Sequence, residues 1–501
     1  MTKLQNSFFV VDFTEDSLFF VAMRKTKIIC TLGPATESEE VLRGMIEAGA
    51  NIFRLNMSHA PHDWVRGVVL RIRALAMKMD VITAILMDTQ GPAIRTGDLP
   101  SKLDLKPGDV FEFTVRGMKS EEHFSVDVNY DGLMDDISVG DTVLVDSGVI
   151  HMKVLEKTAN KIRCKVLTEG VLGSRRHINL PGVKVNLPPL TEKDLKDIAL
   201  GVELGVDMVA LSFCREASDI EVLRKVLREQ GSQARIISKI EDQMAIRNLD
   251  SIIIKTDAVM VARGDLGIEC PMEDLPIIQR RIVKRCIKLG RPVIVATHML
   301  ESMISNPVPT RAEVTDVANA VFEQADAIML SGETTVGKYP VECVKVLNRV
   351  ASRTEKSGGA NYASEANLDG VRKKIVQSAV VLANSLTDAK LVVFTRRGFT
   401  ADFVSNLRPD HAPIYAFAPT VEVCRKLALN WGTYPQHLPF DANPNRTIAA
   451  AEKMLVDRGL AKTGDHLVIF SDMQTGDHLG IFSDVQAGEH SFDSIQLRIV
   501  P

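Results

Sequence analysis

Eight short apolar runs, each followed by a segment with helical periodicity, are the feature of this 501-residue chain that most constrains its fold. Strands of a parallel sheet are buried on both faces and are therefore almost entirely apolar, and a helix must connect each strand to the next. Repeated β–α units in this number predict an α/β protein built on a (β/α)8 TIM barrel. The predicted strands are residues 27–32, 51–55, 81–87, 207–213, 235–240, 258–262, 292–296 and 326–330.

Polar and charged residues follow the ends of these predicted strands. In a (β/α)8 barrel the carboxyl ends of all strands meet at one mouth, where enzymes of this architecture place their catalytic groups. We therefore expect these side chains to converge at the mouth of the barrel. If they had only structural roles, their shared position after the strand ends would be a coincidence. They are Arg54, Asn56, Ser58 and His59 after the second strand, Asp88, Thr89 and Arg95 after the third, Ser212 after the fourth, Lys239 and Glu241 at the fifth, Asp265 after the sixth, Thr297 after the seventh, and Ser331 and Glu333 after the eighth.

Lys239, Glu241 and Asp265 form the most informative group at this mouth. Lys239 and Glu241 are two residues apart, so in a strand their side chains point to the same face. Burying such charges is unfavourable unless they meet partners or a metal ion. We predict that Glu241 and Asp265 share one hard divalent cation, Mg²⁺ or Mn²⁺, beside the ammonium group of Lys239. A salt bridge at a sheet edge is the alternative interpretation.

Two further segments differ in pattern from the barrel repeat. The segment between the third and fourth strands is rich in Gly, Asp and Val with short alternating runs, which predicts a small β-barrel inserted as a lid. Near the C-terminus, alternating helical and strand-like segments predict an open-sheet α/β domain. We thus expect an N-terminal extension (1–22), a catalytic barrel (23–97 and 185–357), a lid (98–184) and a C-terminal regulatory domain (358–501).

Composition excludes several classes of protein. A net charge of −4 removes the electrostatic basis for general nucleic-acid binding. The apolar runs among residues 1–22 are interrupted by acidic residues, so no membrane-spanning segment is predicted there. Seven scattered cysteines without a CxxC pair argue against a disulfide framework or a zinc site and favour a reducing, cytoplasmic location. The string GDHLVIFSDMQT from Gly464 is nearly repeated from Gly476, which indicates a tandem duplication.

Several long strings resemble those of the pyruvate kinase family. They are KIICTLGPAT, FRLNMSHA, MDTQGPAIRTG, NLPGVKVNLP, ISKIED, VMVARGDLG, ATHMLESM, PTRAEVTDVANAV and MLSGETTVGKYP, and the resemblance extends over residues 24–500. It implies transfer of the phosphoryl group of phosphoenolpyruvate to ADP, which gives ATP and pyruvate in the last step of glycolysis. It also implies a homotetramer. The alternatives are another phosphoenolpyruvate-binding barrel enzyme, against which these strings argue, and a non-catalytic metabolite sensor, which would be expected to have lost catalytic residues.

The resemblance assigns roles to the residues at the barrel mouth. Lys239 would stabilise the phosphoryl group in flight, because positioning and positive charge provide the catalysis in such a transfer. Arg54 would contact the phosphate, and Gly264 would let the backbone approach the substrate carboxylate. Thr297 would lie near the carbon that receives a proton. Glu241 and Asp265 match the Mg²⁺ ligands, Ser331 and Glu333 a proton relay (or, for Glu333, a helix cap), and Asn56, Met57, Ser58, His59, Arg95 and Lys193 the nucleotide side.

A potassium site is implied by the resemblance, but two neighbouring positions depart from the family pattern. Gln90 stands where many members have Lys. Ala93 stands where K⁺-dependent members have Glu and K⁺-independent members have Lys, so it supplies neither charge. We therefore expect weak or partial activation by K⁺, bound by the oxygen donors of Asn56, Ser58, Asp88 and Thr89.

One loop of the predicted C-terminal domain matches the effector loop of the family in position. Hydroxyl groups and backbone N–H groups that follow a strand can cradle a phosphate. A sugar-phosphate effector is therefore one expectation for this chain. The loop contains Thr395, Arg396, Arg397, Gly398 and Thr400, with Phe399 at a position where Arg or Ser-like residues are frequent.

Overall fold

The computed structural model describes residues 24–118, 120, 122–471 and 494–501, and it starts with three parallel strands that alternate with helices. Every residue of the first strand is buried, as expected for a strand covered on both faces. The first long helix begins after Ser38, whose side chain accepts a hydrogen bond from the backbone N–H of Val41 (3.2 Å) and so caps the helix. The elements are β1 (Lys27–Thr31), α1 (Glu39–Glu47), β2 (Ile52–Asn56), α2 (His62–Lys78) and β3 (Ala84–Asp88).

The segment inserted after β3 consists mainly of strands. They are β4 (Leu103–Leu105), β5 (Val110–Thr114), β6 (Ser125–Asp127), β7 (Thr142–Val145), β8 (Ile150–Lys157), β9 (Lys161–Val166), β10 (Gly170–Leu172) and β11 (Ile178–Asn179), with one short helix, α3 (Leu133–Asp136). In β8, buried Ile150, Met152 and Val154 alternate with exposed residues, the pattern of a sheet with one face in a core. The β-rich insertion is confirmed. Its backbone hydrogen bonds, within the described residues, form a six-stranded sheet and a β4–β10 ribbon, whereas the prediction was one closed barrel.

The chain then returns to the barrel and completes it. Two helices of this second part of the barrel begin with a reciprocal capping box. One box is formed by Thr191 with Asp194, and the other by Thr310 with Glu313. No helix in the described part of the chain is both long and apolar enough to cross a membrane. The elements are α4 (Glu192–Glu203), β12 (Met208–Leu211), α5 (Ala217–Glu229), β13 (Arg235–Ile240), α6 (Gln243–Arg247), α7 (Leu249–Lys255), β14 (Ala258–Ala262), α8 (Arg263–Glu269), α9 (Leu275–Leu289), β15 (Val293–Ala296), α10 (Arg311–Phe322), β16 (Ala327–Leu330), α11 (Gly332–Thr335) and α12 (Pro340–Glu355).

Eight parallel strands close into a ring in the order β1–β16–β15–β14–β13–β12–β3–β2. Closure is made by β1, which pairs with β2 on one side and with β16 on the other. Inward-facing apolar side chains such as Ile29, Leu86, Met208 and Met260 fill the interior and are fully buried. The interior is therefore packed, and polar chemistry is confined to the ends of the barrel. The predicted (β/α)8 barrel is confirmed, with all eight predicted strands present.

In the described part of the C-terminal domain, five strands form an open sheet flanked by helices. Its elements are α13 (Val371–Ser385), β17 (Ala389–Phe394), α14 (Phe399–Asn406), β18 (Ile414–Ala418), α15 (Val421–Leu427), β19 (Thr433–His437), α16 (Pro444–Asp457), β20 (His466–Ser471) and β21 (Ser494–Ile499). Among the described residues the strand order is β19–β18–β17–β20–β21, and β21 runs antiparallel to β20. The first copy of the duplicated string contributes β20, while the second copy and residues 1–22 lie outside the described residues.

Ion pairs join the amino-terminal face of the barrel to the C-terminal domain. Arg408 Nη2 lies 2.6 Å from Asp326 Oδ2, and both side chains are almost fully buried. Arg235, at the start of β13, pairs with Asp402 of α14 at 2.8 Å. Removing one member of such a pair leaves an uncompensated charge in a dry interface. The two domains are therefore held together by directional contacts as well as by apolar packing.

Candidate active site

Lys239 is the central charge of the barrel mouth. It lies near the end of β13, with its Nζ 2.9 Å from Glu241 Oε1, 3.2 Å from Asp88 Oδ1 and 2.8 Å from Ser212 Oγ. Burial alone would lower the pKa of Lys239, but the carboxylates of Asp88 and Glu241 outweigh burial and raise that pKa above its ordinary value. The ammonium group therefore stays charged at neutral pH although the residue is only 9% exposed.

Glu241 and Asp265 lie close enough for their charges to oppose each other. Burial raises the pKa of Glu241 to about 7; Lys239 lowers it and Asp265 raises it further. Glu241 also accepts a hydrogen bond from the backbone N–H of Phe213 at 2.6 Å. The Asp265 side chain makes no hydrogen bond or ion pair with the described residues. A divalent cation would remove the repulsion between the two carboxylates, so the donor set fits a hard metal ion.

Such an ion would take most of its ligands from outside the protein. Across the described residues, no group of three or more His, Cys, Asp or Glu side chains has metal-binding geometry. A pair of carboxylates completed by water and substrate oxygens is typical of Mg²⁺. Lys239 and Glu241 also form a salt bridge. The metal site and the salt bridge, which the sequence analysis treats as alternatives, therefore involve the same cluster of side chains.

Arg54 is fixed by partners at the ends of neighbouring strands. Its Nε donates to Asp88 Oδ2 at 2.6 Å, and its Nη1 donates to Thr31 Oγ1 at 2.9 Å. Burial would raise the pKa of Asp88, but Lys239 and Arg54 hold it below its ordinary value, so Asp88 is ionised. Asp88 thus orients two cations at once, a role that the sequence analysis does not assign to it.

Thr297 follows β15 in a strained backbone conformation. Its φ is +69° and that of His298 is +55°, values that are rare for residues other than glycine. Arg263, which the sequence analysis does not single out, holds this turn by donating to the Thr297 carbonyl at 2.5 Å. The Thr297 hydroxyl accepts a hydrogen bond from the Gly264 N–H at 2.9 Å. The turn therefore aims a hydroxyl group towards the first turn of α8, where Asp265 lies.

Glu333 organises the backbone at the end of β16. Its carboxylate accepts hydrogen bonds from the backbone N–H groups of Ser331 (2.7 Å) and Leu300 (2.9 Å). This geometry matches the alternative in which Glu333 stabilises the start of the following helix. The hydroxyl group of Ser331 is buried and has no hydrogen-bond partner among the described residues. The hydrogen-bonding capacity of this hydroxyl group is therefore not used by any described group.

The predicted nucleotide side is the loop after β2 together with α4. Lys193 Nζ donates to the Met57 carbonyl and to Asp197 Oδ2, both at 2.6 Å. His62 Nε2 lies 2.7 Å from Asp197 Oδ1, so one buried carboxylate contacts both the Lys193 ammonium group and the His62 imidazole ring. The sequence analysis misses Asp197, although its spacing of four residues from Lys193 on a helix is a usable signal. Ser58 and His59 lie in this loop, Asn56 is the last residue of β2, and exposed Arg95 lies on the lid side.

The predicted potassium donors lie at or just after the ends of β2 and β3. Asn56 and Asp88 are register partners at the ends of β2 and β3, and Thr89 follows directly. Ser58 lies two residues after Asn56, whose side-chain oxygen accepts the Ser58 N–H at 3.2 Å. Oxygen donors from adjacent strand ends suit a large monovalent cation, so the donor chemistry fits. Ala93 has no charged side chain, and its carbonyl accepts a hydrogen bond from the Asn129 side-chain amide at 3.1 Å.

The lid reaches the mouth through two residues that the sequence analysis misses. The ring of His177 is 5.8 Å from that of Phe213, and Asn179 donates to Glu269 Oε1 at 3.0 Å. Burial lowers the pKa of His177, while Asp265 opposes that change. Neither residue follows a barrel strand, so no local pattern marks it as part of the mouth.

The loop after β17 has the features of a phosphate cradle. Thr395 Oγ1 accepts a hydrogen bond from the Gly398 N–H at 3.0 Å, and Thr395 and Thr400 are buried. Gly398 has a φ of +101°, and a side chain there would meet the guanidinium group of Arg235 at 3.1 Å. Arg396 and Arg397 are exposed and flank the cradle.

Comparison with known proteins places this geometry in a class. The profile described as "Pyruvate kinase, barrel domain" matches residues 23–344, and the profile described as "Pyruvate kinase, alpha/beta domain" matches residues 373–480. A chain that carries both domains in this order is a phosphotransferase of the kinase type.

Individual relatives agree over most of the chain. It is 41% identical over 461 residues to pyruvate kinase isozyme G, chloroplastic, of Nicotiana tabacum, which covers 91% of this chain and 81% of the relative. It is 42% identical over 454 residues to the pyruvate kinase of Geobacillus stearothermophilus (89% and 77% covered). A crystal structure of a pyruvate kinase from Cryptosporidium parvum superposes with a TM-score of 0.89 at 33% identity, covering 96% of this chain and 97% of that one. The chain belongs to the pyruvate kinase family, whose enzymes transfer the phosphoryl group of phosphoenolpyruvate to ADP in glycolysis.

Proposed function

We propose that the barrel mouth binds phosphoenolpyruvate and ADP together and that Lys239 stabilises the phosphoryl group during its transfer. The phosphorus–oxygen bond of phosphoenolpyruvate breaks, a bond to the terminal oxygen of ADP forms, and the enolate takes up a proton to give pyruvate. The observation that carries this proposal is the charged, buried Lys239 ammonium group, held 2.9 Å from Glu241. A preorganised charge in a water-poor site stabilises the transition state without reorganisation.

The other side chains of the mouth would position the substrate. Arg54, tied to Asp88 and Thr31, would contact the phosphate with its remaining donors. Gly264 has no side chain, so the substrate carboxylate can approach the backbone of α8 beside Asp265. The hydroxyl groups of Thr297 and Ser331 would order the proton donor next to the enolate. Glu333 holds the backbone of Ser331 and is proposed as a positioning residue of this relay.

Enzymes of this family depend on metal ions, and we propose which residues bind them here. The opposing charges of Glu241 and Asp265 support a divalent ion between these carboxylates, Mg²⁺ or Mn²⁺. When bound, the ion supplies positive charge that polarises the substrate oxygens. The oxygen donors proposed for K⁺ are Asn56, Ser58, Asp88 and Thr89, with weak or partial activation because Ala93 is neutral.

The nucleotide and effector assignments are also proposals. The contacts of Lys193 with Met57 and Asp197 support a nucleotide side made by Asn56, Met57, Ser58, His59, Arg95 and Lys193. The hydrogen bond between Thr395 and Gly398 supports a sugar-phosphate cradle made by Thr395, Arg396, Arg397, Gly398 and Thr400.

Assembly, location and domain limits complete the proposal. Val371, Val381 and Ile499 are each more than half exposed on the C-terminal domain, which suits packing against other copies in a homotetramer. Light scattering on the purified chain measures its oligomeric state.

Seven free cysteines, six of them buried, suit the reducing cytoplasm. The proposed limits are 1–22, 23–97 with 185–357, 98–184, and 358–501 for extension, barrel, lid and C-terminal domain.

The decisive experiment replaces Lys239 and follows pyruvate formation from phosphoenolpyruvate and ADP in a coupled assay. Lys239→Met should lower kcat by roughly 10³-fold or more, because the variant lacks the charge that acts in the transition state. Lys225→Met is the matched control, since Lys225 is exposed on α5 and pairs only loosely with Glu229 at 3.9 Å. A folded Lys239 variant with kcat within a few-fold of the control would refute the proposal.

A further inference from the structure

Two buried polar side chains join the lid to the barrel at the edge of the mouth. Asn179 of β11 donates a hydrogen bond from its Nδ2 to Oε1 of Glu269, the last residue of α8, at 3.0 Å. Asn179 is 5% exposed and Glu269 is 8% exposed, and both line a cavity of about 80 Å³ between the lid and the barrel. We call these two residues the Asn179–Glu269 pair. Their hydrogen bonding contributes to how the lid is seated on the barrel.

The hydrogen bonding of this pair is incomplete while Glu269 is a carboxylate. Asn179 Oδ1 is buried and has no hydrogen-bond partner among the described residues. Within the same part of the chain, Glu269 forms no ion pair and its Oε2 accepts no hydrogen bond. A carboxylate has no proton to donate to an amide oxygen, whereas a carboxylic acid has one. Protonation of Glu269 therefore supplies the donor that Asn179 Oδ1 lacks and completes a reciprocal acid–amide pair.

The surroundings of Glu269 favour its protonated form. Burial raises the pKa of Glu269 to about 7; the hydrogen bond from Asn179 lowers that pKa, and the charges of Asp242 and Asp265 raise it further. The titratable and charged groups around Glu269 are Asp265 on its own helix, Cys270 next to it, Glu241 and Asp242 after β13, Arg215 after β12 and His177 on the lid. The one guanidinium group in this set, that of Arg215, donates to the carbonyls of Val185 (2.6 Å) and Leu187 (2.5 Å).

A short extended segment connects Asn179 to the proposed nucleotide side. His177 is two residues before Asn179, and side chains at this spacing in an extended chain share a face. Both contact the barrel, since the ring of His177 lies 5.8 Å from that of Phe213. The backbone of His177 also forms an antiparallel bridge with Arg95. Holding Asn179 against α8 therefore fixes the position of Arg95 relative to the mouth.

We propose that Asn179 and Glu269 are positioning residues of the nucleotide side, which seat the lid on the barrel through a reciprocal pair between the amide and a protonated carboxyl group. This inference rests on the proposed role of Arg95 in nucleotide binding. With the lid away from α8, Glu269 would be exposed and would titrate near about 4.3. Seating of the lid therefore takes up a proton between that value and the raised pKa. The contribution of the pair is present below about pH 7 and is lost as pH rises through the raised pKa.

The test compares Glu269→Gln with Glu269→Ala at about pH 6 and about pH 8, on either side of the raised pKa. The introduced Gln amide donates as the acid does but does not titrate. At about pH 6, Glu269→Ala should raise KM for ADP roughly tenfold with little change in KM for phosphoenolpyruvate, since two hydrogen bonds are lost. Glu269→Gln should match the parent there. A purely structural defect would reduce the active fraction, which lowers kcat and leaves KM unchanged.

At about pH 8 the order of the proteins should change. The parent loses its donor, so its KM for ADP should approach that of Glu269→Ala, whereas Glu269→Gln should keep the lower KM. Comparison with the parent at each pH cancels the titrations that the proteins share. Glu169→Ala is the control, because Glu169 is exposed on the lid, and it should behave as the parent does at both pH values.

Small-angle X-ray scattering measures the position of the lid without turnover, which separates this inference from the proposed function. At about pH 6, and without substrates, Glu269→Ala should have a larger radius of gyration than Glu269→Gln and Glu169→Ala. A parent that forms no pyruvate would refute the proposed function, and the scattering would still report on the pair.

Three results would overturn the proposal. The first is an equal KM for ADP in Glu269→Ala and Glu269→Gln at about pH 6. The second is a Glu269→Ala deficit of the same size at both pH values, because the pair would then not depend on a proton. The third is an equal radius of gyration in all of these variants.

Discussion

The Arg408–Asp326 pair offers a quantitative test of how the two domains are held together. Arg408→Met keeps the length and apolar stem of the side chain but removes the charge that lies 2.6 Å from Asp326. Asp326 would keep its hydrogen bonds from the backbone N–H groups of Val293 (2.9 Å) and Trp431 (3.1 Å), but it would lose the cation that forms its ion pair. Breaking a buried pair in this way costs about 3–5 kcal/mol.

The expected cost depends on pH in a direction that the structure fixes. Burial raises the pKa of Asp326 above its ordinary value even with Arg408 opposing that rise. Without Arg408 the folded-state pKa rises further, so the folded variant binds more protons than its unfolded chain above the ordinary Asp pKa. Stability of the variant relative to the parent then falls as pH increases towards the raised pKa. The deficit should therefore be smaller at acidic pH than at neutral pH.

Trp431 provides a local probe for this measurement, which matters because a multidomain chain does not unfold in one step. The Arg408 guanidinium group lies 5.3 Å from its ring, and Trp64→Phe removes the other tryptophan of the chain. Urea titrations of Trp431 fluorescence in the parent and in Arg408→Met, at two pH values, give the difference. Arg66→Met is the control, because its pair with Glu203 is exposed. A deficit below about 1 kcal/mol at neutral pH would refute the reasoning, since exposed pairs contribute that little.

Three further predictions concern the active site. Asp197→Asn should raise KM for ADP several-fold with little change in KM for phosphoenolpyruvate, because Asp197 holds Lys193 at 2.6 Å. Steady-state kinetics with each substrate varied in turn measures the two KM values. Equal changes in both KM values would contradict this prediction. Glu241→Gln should raise the Mg²⁺ concentration needed for half-maximal rate by a larger factor than it raises KM for phosphoenolpyruvate. Titrations of the rate with Mg²⁺ measure this. An unchanged Mg²⁺ requirement would place the ion elsewhere. Replacing K⁺ by a bulky organic cation should reduce turnover only partially, since Ala93 supplies no charge, whereas near-total loss would contradict weak activation.

The sequence predicts the site where chemistry follows the ends of strands. Lys239 and Glu241 are found together because a two-residue spacing in a strand fixes their common face. Arg263 and Asp197 are missed because their importance lies in what they hold, the Thr297 carbonyl and the Lys193 ammonium group. Such contacts depend on packing between elements, which no local spacing specifies.

The same limit applies to the fold. The eight barrel strands are apolar and buried on both faces, so each one is visible as a run of residues. Strand β19 has no such apolar run, because Thr433–His437 is mostly polar and contains Pro435, as an edge strand permits. The number of barrel strands is a property of the sequence pattern, whereas the pairing of β19 with β18 depends on the assembled sheet.

Strand β13 has a consequence for how variants of this enzyme are interpreted. Arg235 and Lys239 are four residues apart on this one strand, so their side chains share a face and their Cα atoms are about 13 Å apart. At one end the strand is anchored to Asp402 of another domain, and at the other it carries the ammonium group that we propose stabilises the phosphoryl group. A substitution at the domain boundary can thus displace Lys239 through β13, a stiff strand that is hydrogen-bonded to a neighbouring strand on each side. Turnover should therefore be measured whenever such a variant is made for stability alone.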